Sequence, residues 1–395
     1  MTFLVFILIL SVLVLVHETG HFLAAKKAGI KVEEFAFGLP FTKPILSKKK
    51  RGTIYSVYPL IFGGFVKLYG EDGLTEDQRP KIPPCRRAGK DPNYGRAYFE
   101  KSIFKRASVL LAGVFMNLVL AIVCFSILYF VWGIPTKTGK VIVEAVRENS
   151  PAQAAEIKPN DWIVAVNGDF INEGDQLIRI TQGMAGQKVK LEISRRNDNP
   201  CKPPADNVLG GMATTEFGFN CNGENLLIFL IPRENPPAGE GPLGVIITDS
   251  IFKKYPFYIM PFLGVREGFK DSLGWGKMVL SSLGQMVYSL ITRGKVPEGI
   301  AGPIGIYQIT GEAAKAGWMA VLQLLGIISV NLAIVNILPI PAMDGGRLVF
   351  LGFELVFKRK APPKIEAAIN SVGLMILLGL MFLITVKDLL RLAGG

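Results

Sequence analysis

MTFLVFILILSVLVLVHETGHFLAAKK, residues 1–27, is the stretch whose reading decides the rest. From Met1 to Val16 no side chain is charged and nearly all are aliphatic; His17, Glu18 and His21 then follow on what the pattern predicts to be the same helix. Twenty-five residues of helix reach roughly 37 Å, enough for a hydrocarbon core of about 30 Å. No Lys or Arg precedes the run and no convincing A-x-A site follows it, so it is read as a retained membrane helix and not as a cleaved signal.

Residues four apart share a helical face, so His17 and His21 aim both imidazoles at one place, while Glu18 on the adjoining flank can take a proton from a water held there. This is the H-E-x-x-H pattern of zinc enzymes. The chain of 395 residues contains 2 histidines, and both are here. A lone histidine on an apolar face is commonly a satisfied core residue. A whole histidine complement at ligand spacing beside a glutamate is poorly explained that way, and Zn²⁺ is the expected cofactor.

Zinc held by two imidazoles needs a third protein ligand and keeps its fourth position for water. With no further histidine, that ligand must be Asp, Glu or Cys. The best placed is Asp344, in NILPIPAMDGG (residues 336–346), directly after the third apolar block. Pro339 and Pro341 break a helix there, which membrane depth tolerates only where polar backbone faces protein, metal or water. The plainer alternative is a cytosolic turn carrying a solvated aspartate. Charge favours ligation, since Zn²⁺, Asp344 and Glu18 with two neutral imidazoles sum to zero, which is far cheaper in hydrocarbon than an unpaired ion.

Half of the chain is hydrophobic and 19% is charged, which excludes a disordered chain and makes an ordinary cytosolic enzyme a poor fit. The expected fold is a polytopic α-helical membrane protein with about four transmembrane helices, at residues 1–25, 103–134, 318–357 (broken at the 336–346 motif) and 372–390. The net charge of +12 comes without a nucleic-acid recognition pattern, and no nucleic-acid partner is expected. It is topological instead. Lys26 to Arg51, with Lys105 and Arg106, place residues 26–102 in the cytoplasm, and Lys358 to Lys364 do the same for residues 358–371. The N-terminus and residues 136–317 are then external. Cys201 and Cys221 lie in that external part and either pair in an oxidising compartment or stay as free thiols; both readings remain open. Cys124 reads as a packing residue within an apolar helix, and Cys85 has no nearby partner in the sequence.

Together these stretches resemble the site-2 proteases, the intramembrane zinc metalloproteases, and most closely the bacterial RseP-like branch with an inserted PDZ domain. The likeness is carried by HETGH at 17–21, PLIFGGFVK at 59–67, Gly113 to Asn117 and the 336–346 motif, so it spans nearly the whole chain. H-E-x-x-H alone is shared with soluble zincins; joined to N-x-x-P-x-P-x-x-D-G in another apolar block it is highly specific. Met343 stands where the family usually has leucine, a volume-conserving change. The resemblance implies a metalloendopeptidase of the bacterial inner (plasma) membrane that cleaves single-pass transmembrane substrates within the lipid bilayer, such as anti-sigma factors or signal-peptide remnants. It implies His17, His21 and Asp344 as metal ligands and Glu18 as general base, then acid, toward zinc-activated water. Asn336 would donate to substrate or oxyanion, with Gly63, Gly64, Pro339 and Pro341 beside the substrate.

A transmembrane helix hides its carbonyls in its own hydrogen bonds, so cleavage requires unwinding and replacement partners. Ile54 to Tyr69, β-branched and aromatic, is expected to form a membrane-associated hairpin or looped sheet, either receiving substrate as an added strand or sealing the cytoplasmic mouth. Val141 to Ser194 carries a PDZ-like run within an external mainly-β PDZ domain at 136–250, with a short helix at Ser150 to Ile157 and an Asn167-Gly168 hairpin turn. That domain is a size filter or a sensor of freshly exposed peptide ends, or else a plug that binds nothing. In the segment 251–317, Lys277 to Ile291 is expected to be a helix that lies in the outer interface or packs beneath the PDZ domain, with a buried soluble helix as the plainer alternative. A non-catalytic scaffold and a metal transporter are the rival functions. Glu18 with Asp344 argues against the first, and the clustering of ionisable groups at one depth argues against the second.

Overall fold

The uncharged head of the chain forms a single helix, α1 (Thr2–Lys27), with His17, Glu18 and His21 in its second half. The computed structural model describes residues 2–60, 63–71, 95–196, 223–237, 240–293, 302–359 and 362–393. Two units divide it, Met1–Val131 with Pro256–Gly395, and Trp132–Tyr255. The further helices are α2 (Ile103–Trp132), α3 (Pro151–Ala154), α4 (Gly174–Gly183), α5 (Met260–Arg293), α6 (Pro303–Ala316), α7 (Trp318–Ile337), α8 (Asp344–Phe357) and α9 (Pro363–Ala393). Among the described residues four helices are long and apolar enough to cross a membrane: α1, α2, α7 and the Ile365–Val386 part of α9. The protein is thus a polytopic membrane protein with β-sheets in addition. Cys85, Cys201 and Cys221 lie outside the described residues; Cys124 is a buried free thiol in α2.

In the first unit α2, α5 and α7 share a core of Ala121, Phe125, Leu128 and Val330, with Trp275, Leu322 and Ile334 packed against it. Lys277 to Ile291 form the second half of a helix of 34 residues, α5, that begins at Met260 and whose first half packs along α2 and α7. The cause is a spacing of small residues, Gly264, Gly268, Ser272 and Gly276. A Cβ at Gly264 would come within 3.0 Å of Ser126 O, and at Gly268 within 2.9 Å of Ile122 O, so the backbones approach as membrane helices do. Phe262, Val265, Phe269 and Leu273 face outward on the opposite side.

A four-stranded sheet follows α1, with strands β1 (Val32–Phe37), β2 (Leu46–Lys50), β3 (Thr53–Val57) and β4 (Gly64–Leu68) in the order β2-β3-β1-β4. The segment from Ile54 to Tyr69 is therefore a looped sheet and not a hairpin, because β1 separates β3 from β4, parallel to the first and antiparallel to the second. The hairpin lies earlier, between β2 and β3, where Arg51 and Gly52 both take positive φ, as a two-residue turn of matching twist requires. Ala25, Ile30, Val32, Leu68 and Val109 form a small core that seats this sheet on the ends of α1 and α2.

Between α7 and α8 the helix stops for Leu338 to Met343, and Ala342 takes a φ of 71°. The freed groups find partners: Ala342 N–H donates to Asn370 Oδ1 of α9 at 3.3 Å, and Met343 N–H to Ile340 O at 3.2 Å. Gly345 has to be glycine, since a Cβ there would lie 1.9 Å from Leu338 O. Further along α8, Arg347 bonds Glu71, and Glu354 receives Arg106 of α2 at 2.7 Å, with side chains only 14% and 8% exposed.

The second unit is a six-stranded sheet. β5 (Ile134–Val146), β6 (Trp162–Val166), β8 (Val189–Arg196), β9 (Gly223–Leu230) and β10 (Val245–Lys253) run in the order β10-β5-β6-β8-β9, and β7 (Asp169–Phe170) pairs with β6. Asn167 and Gly168, both at positive φ, make the β6–β7 turn, and Ser150 caps α3 by accepting from Gln153 N–H. Val141, Ile163, Leu177, Leu191 and Ile193 lie in its core. Arg195 forks onto Asp161 at 2.8 and 2.7 Å.

Replacing Arg106 with methionine leaves the Glu354 carboxylate buried without its cation, and should lower stability by about 3 kcal/mol. Adding Glu354→Leu should restore most of that loss. Chemical denaturation of the detergent-solubilised protein checks both; a neutral single variant would show that this pair does not hold α8.

Candidate metal centre

Burial of α1 against α2 creates the site. The backbones meet where Gly20 faces Ala112, and the next residue, Gly113, leaves room for the two rings: a Cβ there would lie 2.5 Å from His21 Nε2 and 2.7 Å from His17 Cε1. The break before α8 brings Asp344 to the same place. Its Oδ2 is 3.2 Å from His17 Nε2 and 3.3 Å from His21 Nε2, and the two nitrogens are 3.1 Å apart. The three side chains are 11%, 12% and 17% exposed.

The donor set suits zinc by type and by spacing. Ligands about 2.0–2.1 Å from a tetrahedral zinc are about 3.3 Å from one another, and the three donor–donor distances are 3.1–3.3 Å. Asp344 Oδ2 is buried and, among the described residues, has no hydrogen-bond partner; the polar atoms it faces are the imidazole nitrogens. His21 Nδ1 lies 2.8 Å from Val109 O. A carbonyl only accepts, so the proton sits on Nδ1 and the lone pair of Nε2 points at the other two donors.

The remaining residues singled out from the sequence fall into two groups. Asn336 is buried beside the cluster, its Nδ2 3.5 Å from His17 Nε2. Gly64 begins β4 against Glu18, where a Cβ would lie 3.5 Å from Glu18 Cγ and 2.9 Å from Ala36 O. Gly63, at a φ of 137°, packs on Leu39, Pro341 rests on Gly373 of α9, and Pro339 is exposed; these three do not join the cluster of donors. Sequence reasoning assigned no task to Asn117, fully buried with its Nδ2 3.2 Å from His17 Nδ1, or to Ser329, which donates to Asn117 O at 2.7 Å. The only signal was that Gly113 and Asn117 are four apart and so share a face of α2.

An apolar helix bundle with two imidazoles and a carboxylate turned inward defines a membrane-embedded metalloprotein. The profile of Peptidase family M50 matches residues 5–380, and the chain belongs to this family, the site-2 proteases. A candidate zinc metalloprotease of Clostridium perfringens is 32% identical over 97% of both chains, and another of Campylobacter jejuni is 30% identical over 99% of this chain and 94% of its own. The zinc metalloprotease RasP of Oceanobacillus iheyensis is 28% identical over 99% of both. The protein is a zinc metalloprotease with Zn²⁺ as its cofactor, of a family whose proteolysis of membrane proteins takes place within the bilayer.

Gly113→Ala should drive a methyl group into both rings and weaken zinc retention more than tenfold while leaving the helix content intact. Metal analysis after gel filtration reads the first and circular dichroism the second; a variant that keeps one zinc per chain would contradict the packing described.

Proposed function

We propose that this chain cleaves the transmembrane segments of single-pass membrane proteins, with His17, His21 and Asp344 as the zinc ligands and Glu18 as general base and acid. The observation that carries the reading is the triangle of donor atoms beside a glutamate on the same helix. Zinc, when bound, supplies Lewis-acid polarisation of a peptide carbonyl and acidifies water to a pKa of about 7. Glu18 takes one proton from the attacking water at its carboxylate and returns it to the leaving amine, so the base is regenerated in each turnover. Asn336, buried beside His17, is placed to donate from Nδ2 to the substrate carbonyl as negative charge develops on its oxygen.

The substrate needs hydrogen-bond partners as it unwinds. Among the described residues β4 is an edge strand, paired with β1 on one side only, and its first residue, Gly64, touches Glu18. In our reading that edge takes the substrate as an added strand and delivers it to the base. The second unit is read as a PDZ domain, on the strength of its capped short helix, the β6–β7 turn and the mixed helix-and-strand order. Basic loops on residues 26–102 and 358–371 support a bacterial inner-membrane topology with the N-terminus and this domain on the periplasmic side. Anti-sigma factors and signal-peptide remnants are the substrate types proposed.

Glu18→Gln should retain one zinc per chain and lose cleavage of a reconstituted model transmembrane segment by a hundredfold or more. Removing the metal with 1,10-phenanthroline should abolish wild-type turnover, and added zinc should restore it. Equal turnover by wild type and the glutamine variant would sink the assigned mechanism. A second experiment concerns the edge. Gly64→Ala should leave zinc content unchanged and reduce kcat/KM at least tenfold, chiefly through KM, because the new methyl would lie 2.9 Å from Ala36 O and shift the edge that holds the substrate, while its 3.5 Å approach to Glu18 Cγ is ordinary contact. Unaltered turnover in that variant would count against strand addition.

A further inference from the structure

Each ring of the pair has one nitrogen turned to the donor triangle and one turned away. For His21 the outer nitrogen meets a backbone carbonyl, which settles the tautomer. For His17 the outer nitrogen, Nδ1, meets the amide of Asn117, and an amide offers either a donor or an acceptor. As found, Nδ2 lies 3.2 Å from His17 Nδ1, and Asn117 Oδ1 is buried with no partner among the described residues. That orientation would require a bare Nδ1 and a proton on Nε2, the atom 3.2 Å from Asp344 Oδ2 and 3.1 Å from His21 Nε2. A nitrogen carrying a proton has no lone pair for a metal. A half-turn of the amide exchanges oxygen and nitrogen without changing the shape of the side chain. It gives the orphaned Oδ1 a donor and moves the proton of His17 to Nδ1 in one step.

We infer that Asn117 is the positioning residue for His17: its Oδ1 accepts from His17 Nδ1–H and fixes the tautomer whose Nε2 lone pair faces His21 and Asp344. This deepens the zinc-ligand reading above and rests on it. The surroundings support it from a second direction. Ser329 of α7, itself fully buried, donates to Asn117 O and pins this turn of α2. Gly113, one helical turn earlier on the same face, clears the space in which the ring sits. One face of α2 thus makes room for both imidazoles and orients one of them, while Val109, a further turn back, orients the other. An outer partner of this kind commonly sets metal affinity by 10–100-fold.

The test uses Asn117→Leu, which removes the acceptor at similar volume, and Asn117→Asp, which can only accept. Zinc retention of the full-length protein in detergent micelles is measured by competition with a chromophoric chelator, and thermal midpoints are measured on metal-free samples. Asn117→Leu should retain zinc at least tenfold less tightly, with a metal-free midpoint equal to or above that of the wild type. Asn117→Asp should hold zinc within about threefold of wild type. Because the chain has 2 histidines, ring-¹⁵N labelling gives two spin systems, and the His17 Nδ1–H signal should be protected in the zinc-loaded wild type and lost in the leucine variant. Wild-type zinc retention by Asn117→Leu, or a loss beyond tenfold in Asn117→Asp, overturns the inference. Should the leucine variant fail to fold, the aspartate variant and the ¹⁵N signal of the wild type still decide. His17→Ala and Asp344→Ala serve as controls: if these keep zinc at wild-type affinity, the ligand assignment itself fails, whereas their loss of zinc with retention by Asn117→Leu defeats only the role of Asn117.

Discussion

Three electron-pair donors, two imidazole nitrogens and a carboxylate oxygen, stand 3.1–3.3 Å apart inside an apolar bundle, and the rest of the membrane unit is arranged around that constraint. Such atoms repel one another in a low dielectric unless positive charge lies among them, and a carboxylate buried alone would cost several kcal/mol. The donors come from α1 and from the first residue of α8, so whatever balances their charge also ties the head of the chain to its last third. Packing has to serve this meeting before anything else. That is why α1 and α2 touch through backbone at Gly20 and Ala112, and why the space beside the rings is kept by a residue without a side chain.

Bringing Asp344 inward has a backbone cost, and the structure shows where it is met. Had α7 continued as a helix, its next turns would have carried the aspartate along the helix axis and away from α1. The break turns the chain, at the expense of a non-glycine residue at positive φ, worth about 1 kcal/mol or more. Asn370 of α9 supplies the acceptor that Ala342 lacks, and Gly345 lets α8 start against the carbonyls that end α7. In its first turn α8 is held by Arg347 on Glu71, and nearer its far end by the buried Arg106–Glu354 pair. The aspartate is therefore fixed by contacts of the break before it and of α8 after it, which suits a donor atom whose placement matters to a few tenths of an ångström.

Much of this was legible beforehand, and the reasons differ from place to place. H-E-x-x-H is local, since helical periodicity alone puts both rings on one face, and only two histidines had to be placed. The proline-broken aspartate motif was legible because ionisable groups at membrane depth are expensive. The close packing of the first half of α5 is not legible in the hydrophobic periodicity of Lys277 to Ile291, because it rests on the small-residue spacing that begins at Gly264, upstream of that window. Strand β1 carries Glu33 and Glu34 and did not look like the centre of a sheet; its place follows from the connection after β3, too long for a hairpin, which lets β4 return on its far side. Asn117 was passed over for a different reason. Its significance lies in which ring atom it faces, and no pattern along one helix reveals what a second helix presents to it.

Hydrolysis in such surroundings sets a problem that the sheet addresses together with the helices. Water and a polar peptide must reach a centre walled by apolar helices, and a substrate helix that gives up its internal hydrogen bonds must be offered others at once, each unsatisfied group costing several kcal/mol in hydrocarbon. A free strand edge is the cheapest such offer, because it presents donors and acceptors already spaced for an extended chain. On the proposed reading, the position of Gly64 makes unwinding and proton transfer a single local event. The residue that opens the β4 edge lies beside Glu18, a Cβ there falling 3.5 Å from Glu18 Cγ, so a peptide laid along that edge would pass near the base. A bulkier residue there would separate the two functions, and a longer loop between β3 and β4 would leave the edge free to drift from the base. On that reading the sheet and the H-E-x-x-H helix act as one piece, the first offering hydrogen bonds to the unwound chain and the second the base.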